Sequence, residues 1–155
     1  LSSNHSIPEF CAQWFPPEKG TRISVEAQRF SSVITIGLLS LLSWLAWKTK
    51  SEKKLLGAFI VLMVLIPIYT YEHHLVFLLL PSAILLSIQK EHTRLFSMCS
   101  YGTLFFLFWP LLWWKEAQQI FPSGKWVIQE SKMFAALILM GLLCYSAFVS
   151  KERAD

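Results

Sequence analysis

Five stretches of this chain, 30–47, 55–70, 75–88, 95–114 and 133–149, contain no Asp, Glu, Lys or Arg. A helix needs roughly 20 predominantly apolar residues to cross about 30 Å of hydrocarbon. Runs of nearly that length, separated by short polar connections, make lipid the solvent in which most of the chain must fold. Composition agrees: 54% of the 155 residues are hydrophobic, 15% are charged, and the mean hydropathy is +0.47, which places the chain in the membrane class. Open strands in lipid would leave backbone N–H and C=O groups unpaired, so the spanning elements are helices.

The expected fold is all-α and polytopic, with about five transmembrane helices near 30–47, 55–70, 71–89, 95–114 and 132–149. They form a membrane domain over 30–149, between an extracytoplasmic or interfacial segment at 1–29 and a cytoplasmic tail at 150–155. In the first segment Pro8, Pro16, Pro17 and Gly20 limit regular structure, while Phe10, Trp14 and Phe15 suit a membrane surface. Residues 23–30 read as a short helix leading into the bilayer. Pro67 loosens the outer end of the second helix, Pro110 kinks the fourth, and Gly141 permits close helix approach in the fifth. The 75–88 run is the shortest and contains Pro81, so it crosses only if its helix takes in 71–74 or extends to Lys90.

Orientation follows from the basic residues. Lys48, Lys50, Lys53 and Lys54 crowd the first connection, which the positive-inside rule puts in the cytoplasm. The N-terminus, the 71–74 turn and the 115–132 loop then lie outside; the 89–94 loop and the C-terminus lie inside. The net charge of +4 and pI near 9.1 come from these clusters, so topology accounts for them and no nucleic-acid partner is expected. Cys11, Cys99 and Cys144 lack metal-ligand spacing and imply no disulfide framework; Cys99 and Cys144, within apolar runs, read as small hydrophobes. With Leu1 first and no basic-then-apolar leader, the chain reads as the tail of something longer.

One polar interruption stands out: Pro67-Ile68-Tyr69-Thr70-Tyr71-Glu72-His73-His74 separates two runs that carry no charge. One account is an interfacial aromatic belt, with Glu72 complementing the dipole at a helix start. The other is a functional site. Adjacent histidines on a helix point about 100° apart and cannot chelate as an i, i+4 pair does, and His92 falls on the other side of the membrane. No metal or other cofactor is therefore expected. No Gly-x-Ser-x-Gly elbow suggests a hydrolase. Trp113, Trp114, Lys115, Lys125 and Trp126 fit an interfacial belt better than a sugar-stacking surface.

Tyr71-Glu72-His73-His74 and the Leu-rich, proline-containing helix after it resemble the C-terminal part of glycosyltransferase family 87. Asn4-His5-Ser6-Ile7 is similar to the family's Asn-Gln-Ser-Leu motif, which likewise precedes a helix, a basic loop, another helix and the histidine pair. The resemblance covers most of 1–90. Glu72 stands where Asp is commoner, Tyr71 where Trp is commoner, and the spacing from Pro67 to the acid is a residue longer. It implies a GT-C-type inverting enzyme of a prokaryotic plasma membrane that moves a mannose-like hexose from a polyprenyl-phosphate donor to a glycan or glycolipid acceptor outside the cell. It further implies donor binding by His74, His73, Glu72 and Tyr71, with Asn4 and Ser6 lining the site. The acid that takes the acceptor proton is expected in an early extracytoplasmic loop outside these residues, so no catalytic residue is assigned here. Two other classes fit the same chain. A lipid-linked-substrate transporter would need charged partners in 95–114 or 133–149, where there are none; a non-catalytic assembly subunit would need no base.

Overall fold

The computed structural model describes residues 6–16, 23–49, 51–67, 72–108 and 125–152, without the side chains of 72–73, 125–129 and 150–152. Among these residues every regular element is a helix. Helix α1 spans Ile7–Trp14, a helix not expected in the proline-rich first segment. Its start is built locally: Ser6 Oγ accepts from the Glu9 amide at 3.3 Å, and Pro8 occupies the first turn, where its missing N–H has no helical partner to lose.

Helix α2 spans Val25–Lys48. Ser24 caps it, accepting from the Ala27 amide at 3.1 Å while donating to the Phe15 carbonyl at 2.8 Å, so a single hydroxyl ties the end of α1 to the start of α2. The short helix expected at 23–30 is therefore the first turns of α2. Helix α3, Glu52–Leu65, stops short of the expected 55–70. Pro67 has no N–H to offer the Met63 carbonyl, so the ladder ends there.

A 3-10 helix, Glu72–Leu78, runs directly into α4, Leu79–Ile88, and a second 3-10 turn, Gln89–Glu91, follows. Pro81 is harmless because it lies in the first turn of α4. Helix α5 spans Arg94–Phe108; residues 109–114 of the expected fourth helix lie outside the described residues. Helix α6, Lys125–Glu152, begins seven residues before the expected 132.

Among the described residues, three segments are long and apolar enough to cross a membrane: Val25–Lys48, His74–Glu91 and Glu130–Val149. The middle one was the doubtful run. Its two 3-10 stretches rise about 2.0 Å per residue against 1.5 Å in an α-helix. The 18 residues of His74–Glu91 therefore reach about 31 Å, the thickness of the hydrocarbon. Helices α3 and α5, with 14 and 15 residues, are shorter than that.

Chain direction alternates through the bundle. Pro8 and Ile66 line one groove and Pro67 and His74 another, while Gln13 bonds Glu130, so α1, the end of α3, His74 and the start of α6 share one end. Lys54, Glu91, His92 and Ser146 meet at the other. Between them α6 packs most extensively on α3 and α5. Gly57 makes this possible: a Cβ there would come within 3.1 Å of Leu143 and 3.3 Å of Ile84. Leu62, Leu65, Leu78, Leu85, Leu139 and Leu143 fill the core. Trp47, Met63, Leu95 and Met98 lie outside it, each 70% exposed or more, as expected of surfaces that meet lipid.

Candidate functional site

The 3-10 helix sets the position of His74. Its backbone carries Glu72 and His73 as well, but their side chains, with Tyr71 and Asn4, lie outside the described residues. His74 is half-buried and lines a groove of about 720 Å³ whose other walls include Ile60, Met63, Val64, Pro67 and Phe77. All its described lining comes from α3, from Pro67 just beyond it and from residues 74–80. An imidazole beside apolar groove walls can donate a hydrogen bond to an anionic or hydroxylated head group while those walls take a hydrocarbon tail.

Ser6 is not part of that groove. It is fully buried, and its hydroxyl oxygen caps α1. The structure thus keeps Ser6 and His74 in different elements at one end of the bundle, with Ser6 serving the helix cap. Trp113, Trp114 and Lys115, and the side chains of Lys125 and Trp126, lie outside the described residues.

Two polar features at this end have no place in the sequence reading. Gln13 Nε2 donates to Glu130 Oε1 in a short contact; Glu130 is 0% exposed, and its Oε2 has no hydrogen-bond partner among the described residues. Phe10 packs edge-on against Phe134 at 5.6 Å, so α1 is clamped to the start of α6 by one polar and one aromatic contact. A partner 117 positions away cannot be read locally. Beside the clamp, burial pushes the Cys11 thiol above its usual range and leaves it a poor nucleophile.

The second feature is a groove of about 350 Å³ between α1, α2 and the end of α3. Gln28, Ser31, Ser32 and Thr35 line it from α2, opposite Pro8 and Ile66. Their spacing, i, i+3, i+4, i+7, puts all four on one helix face. That signal was legible, but it runs across two segments read separately, Gln28 in the short helix at 23–30 and the other three in the charge-free run 30–47.

The opposite end looks different. Lys54 is buried, its ammonium 3.4 Å from the Ser146 carbonyl and 3.8 Å from Glu91. His92 Nε2 shares a 2.7 Å hydrogen bond with Ser146 Oγ, and its ring stacks on Phe96 at 4.3 Å. The Thr49 hydroxyl and the Gln89 amide nitrogen are buried without hydrogen-bond partners among the described residues. No three His, Cys, Asp or Glu side chains converge as a metal site among the described residues, and the three cysteines are free.

No family model matches the chain, and no curated protein or solved structure is detectably similar to it. The described residues define a class: an all-helical fold with, among them, three helices long and apolar enough to span a membrane.

Proposed function

We propose that this chain is the C-terminal part of a multi-pass membrane glycosyltransferase that moves a mannose-like hexose from a polyprenyl phosphate to an extracytoplasmic glycan or glycolipid acceptor. The observation that carries the proposal is the His74 groove: one imidazole beside aliphatic and aromatic walls. A polyprenyl phosphate has that same division, a polar head on a long hydrocarbon tail. The family resemblance of residues 4–7 and 71–81 adds the reaction type.

In this reading the acceptor oxygen attacks the sugar C1 from the face opposite the phosphate. The C1–O bond to the phosphate breaks as the new C1–O bond forms, which inverts the anomeric centre. The acceptor proton goes to an acid supplied by a part of the enzyme outside residues 1–155. The polyprenyl phosphate leaves with the bonding electrons, and His74, with His73 beside it, donates to its oxygens as the charge develops. Glu72 orients an imidazole or a sugar hydroxyl. The five-span topology belongs to the same proposal, with the His74 end outside and the four-lysine loop in the cytoplasm; alternation of chain direction and the positive-inside count support it.

The test is His74→Ala in the full-length protein, assayed for sugar transfer from polyprenyl phosphate. Loss of about 10²-fold or more, with membrane insertion and thermal stability kept, is expected for removal of a donor to the leaving group. Undiminished transfer would sink the assignment.

A further inference from the structure

We propose that the groove lined by Gln28, Ser31, Ser32 and Thr35 binds the neutral, hydroxyl-rich head group of a glycolipid, so that it forms the acceptor subsite of the transfer reaction; this role rests on the reading given above. The chemistry of its wall decides the ligand class. Ser31 and Ser32 both donate their hydroxyl hydrogens to the Gln28 carbonyl, at 2.9 and 2.8 Å, an intrahelical arrangement common for hydroxyls in membrane helices. Their remaining lone pairs are acceptors. A sugar presents many O–H donors and matches them, with the Gln28 side-chain amide able both to give and to receive. A phosphate needs donors or positive charge, and the described lining holds no Lys, Arg or His.

Position narrows the ligand further. Gln28 to Thr35 covers about 10 Å along the axis of α2, starting near the end that α1 covers. Below and beside the polar stripe, Ile36 and Leu39 are 63% and 38% exposed, an apolar surface along which an acyl chain can lie. A head group held at the stripe with its tail on this surface is a lipid-linked sugar rather than a free one. The groove also neighbours the proposed donor site. Ile66 lines it and the adjacent Pro67 lines the His74 groove, so the residues just after α3 border both spaces and would bring a donor in one near an acceptor in the other.

The experiment measures binding to the full-length protein in phosphatidylcholine nanodiscs. Three probes are compared: diglucosyl-diacylglycerol, dioleoylglycerol and undecaprenyl phosphate. The combined variant Ser31→Ala, Ser32→Ala, Thr35→Val should weaken the glycolipid at least about tenfold, as loss of two or three neutral hydrogen bonds implies. It should leave the other two probes unchanged. Gln28→Leu, at an exposed position, should do the same without touching buried Ser31, whereas His74→Ala should weaken only undecaprenyl phosphate. Wild-type protein that holds dioleoylglycerol as tightly as the glycolipid overturns the proposal, as does glycolipid affinity indifferent to the α2 variants. Hydroxyl-dependent glycolipid binding without any sugar transfer would uphold the groove's ligand and remove the transferase reading. Transfer with no such dependence would do the reverse.

Discussion

The two ends of this bundle each carry a histidine, and they use it in opposite ways. At the Lys54 end, His92 is stacked on Phe96 and bonded to Ser146, and Lys54 reaches across to the same turn of α6. The polar groups there close distances between the 48–54 connection, the 89–94 connection and α6. At the other end, His74 and the hydroxyls of α2 line open grooves, and one polar pair, Gln13 with Glu130, holds α1 in place. In a membrane, hydrophobic burial does little to distinguish one helix arrangement from another. Polar contacts must therefore fix the assembly somewhere, and among the described residues those at the Lys54 end join three segments, whereas His74 lines a groove.

Substitutions can break that contrast. The largest effect should come from His74→Ala, with transfer in the full-length protein down about 10²-fold or more and melting temperature in detergent unchanged; a matching loss of stability would mean that His74 is a structural tie like His92. Next is Gln13→Ala, which leaves both oxygens of buried Glu130 without the amide donor. Such an orphaned group costs about 1–3 kcal/mol, seen as a lower melting temperature and faster proteolysis within α1, while Glu130→Gln, which keeps an oxygen to accept from the Gln13 amide, should keep α1 docked. Ser146→Ala should cost about 1 kcal/mol by removing the hydroxyl from His92, with undecaprenyl phosphate binding unaltered; altered binding would show the two ends to be coupled. Glu91→Gln should be the mildest, within about 0.5 kcal/mol in a chemical-denaturation series, because Glu91 is 58% exposed and 3.8 Å from Lys54.

Much of the helical layout could be read directly, and the exceptions have local causes. Helix α1 was hidden by its proline, although Ser6 and Glu9 make the S-x-x-E pattern that opens a capped helix. Helix α2 begins at Val25 rather than at the first fully apolar residue because Ser24 caps it, and polar residues are tolerated in the turns nearest a membrane surface. The 75–88 run alone is too short to cross; the helical segment gains His74 at one end and Gln89–Glu91 at the other, and its 3-10 stretches add a few ångströms more. Of the six candidate site residues, Ser6 proved to be a helix cap and His74 a groove residue. Neither assignment follows from spacing, since both depend on what lies across from the side chain.

The sequence by itself determined the solvent and the helices: charge-free runs dictate lipid, and lipid permits only segments that satisfy their own backbone. Caps and prolines, acting within a few residues, determined where most of those helices start and stop. Only the tertiary structure decided which polar side chains are tied and which line open space. Gln13 meets Glu130 across 117 positions and His92 meets Ser146 across 54. Apolar runs that face lipid on one side and one another on the other carry no pattern marking which face is which, so the partners of a polar side chain are set by how the helices pack.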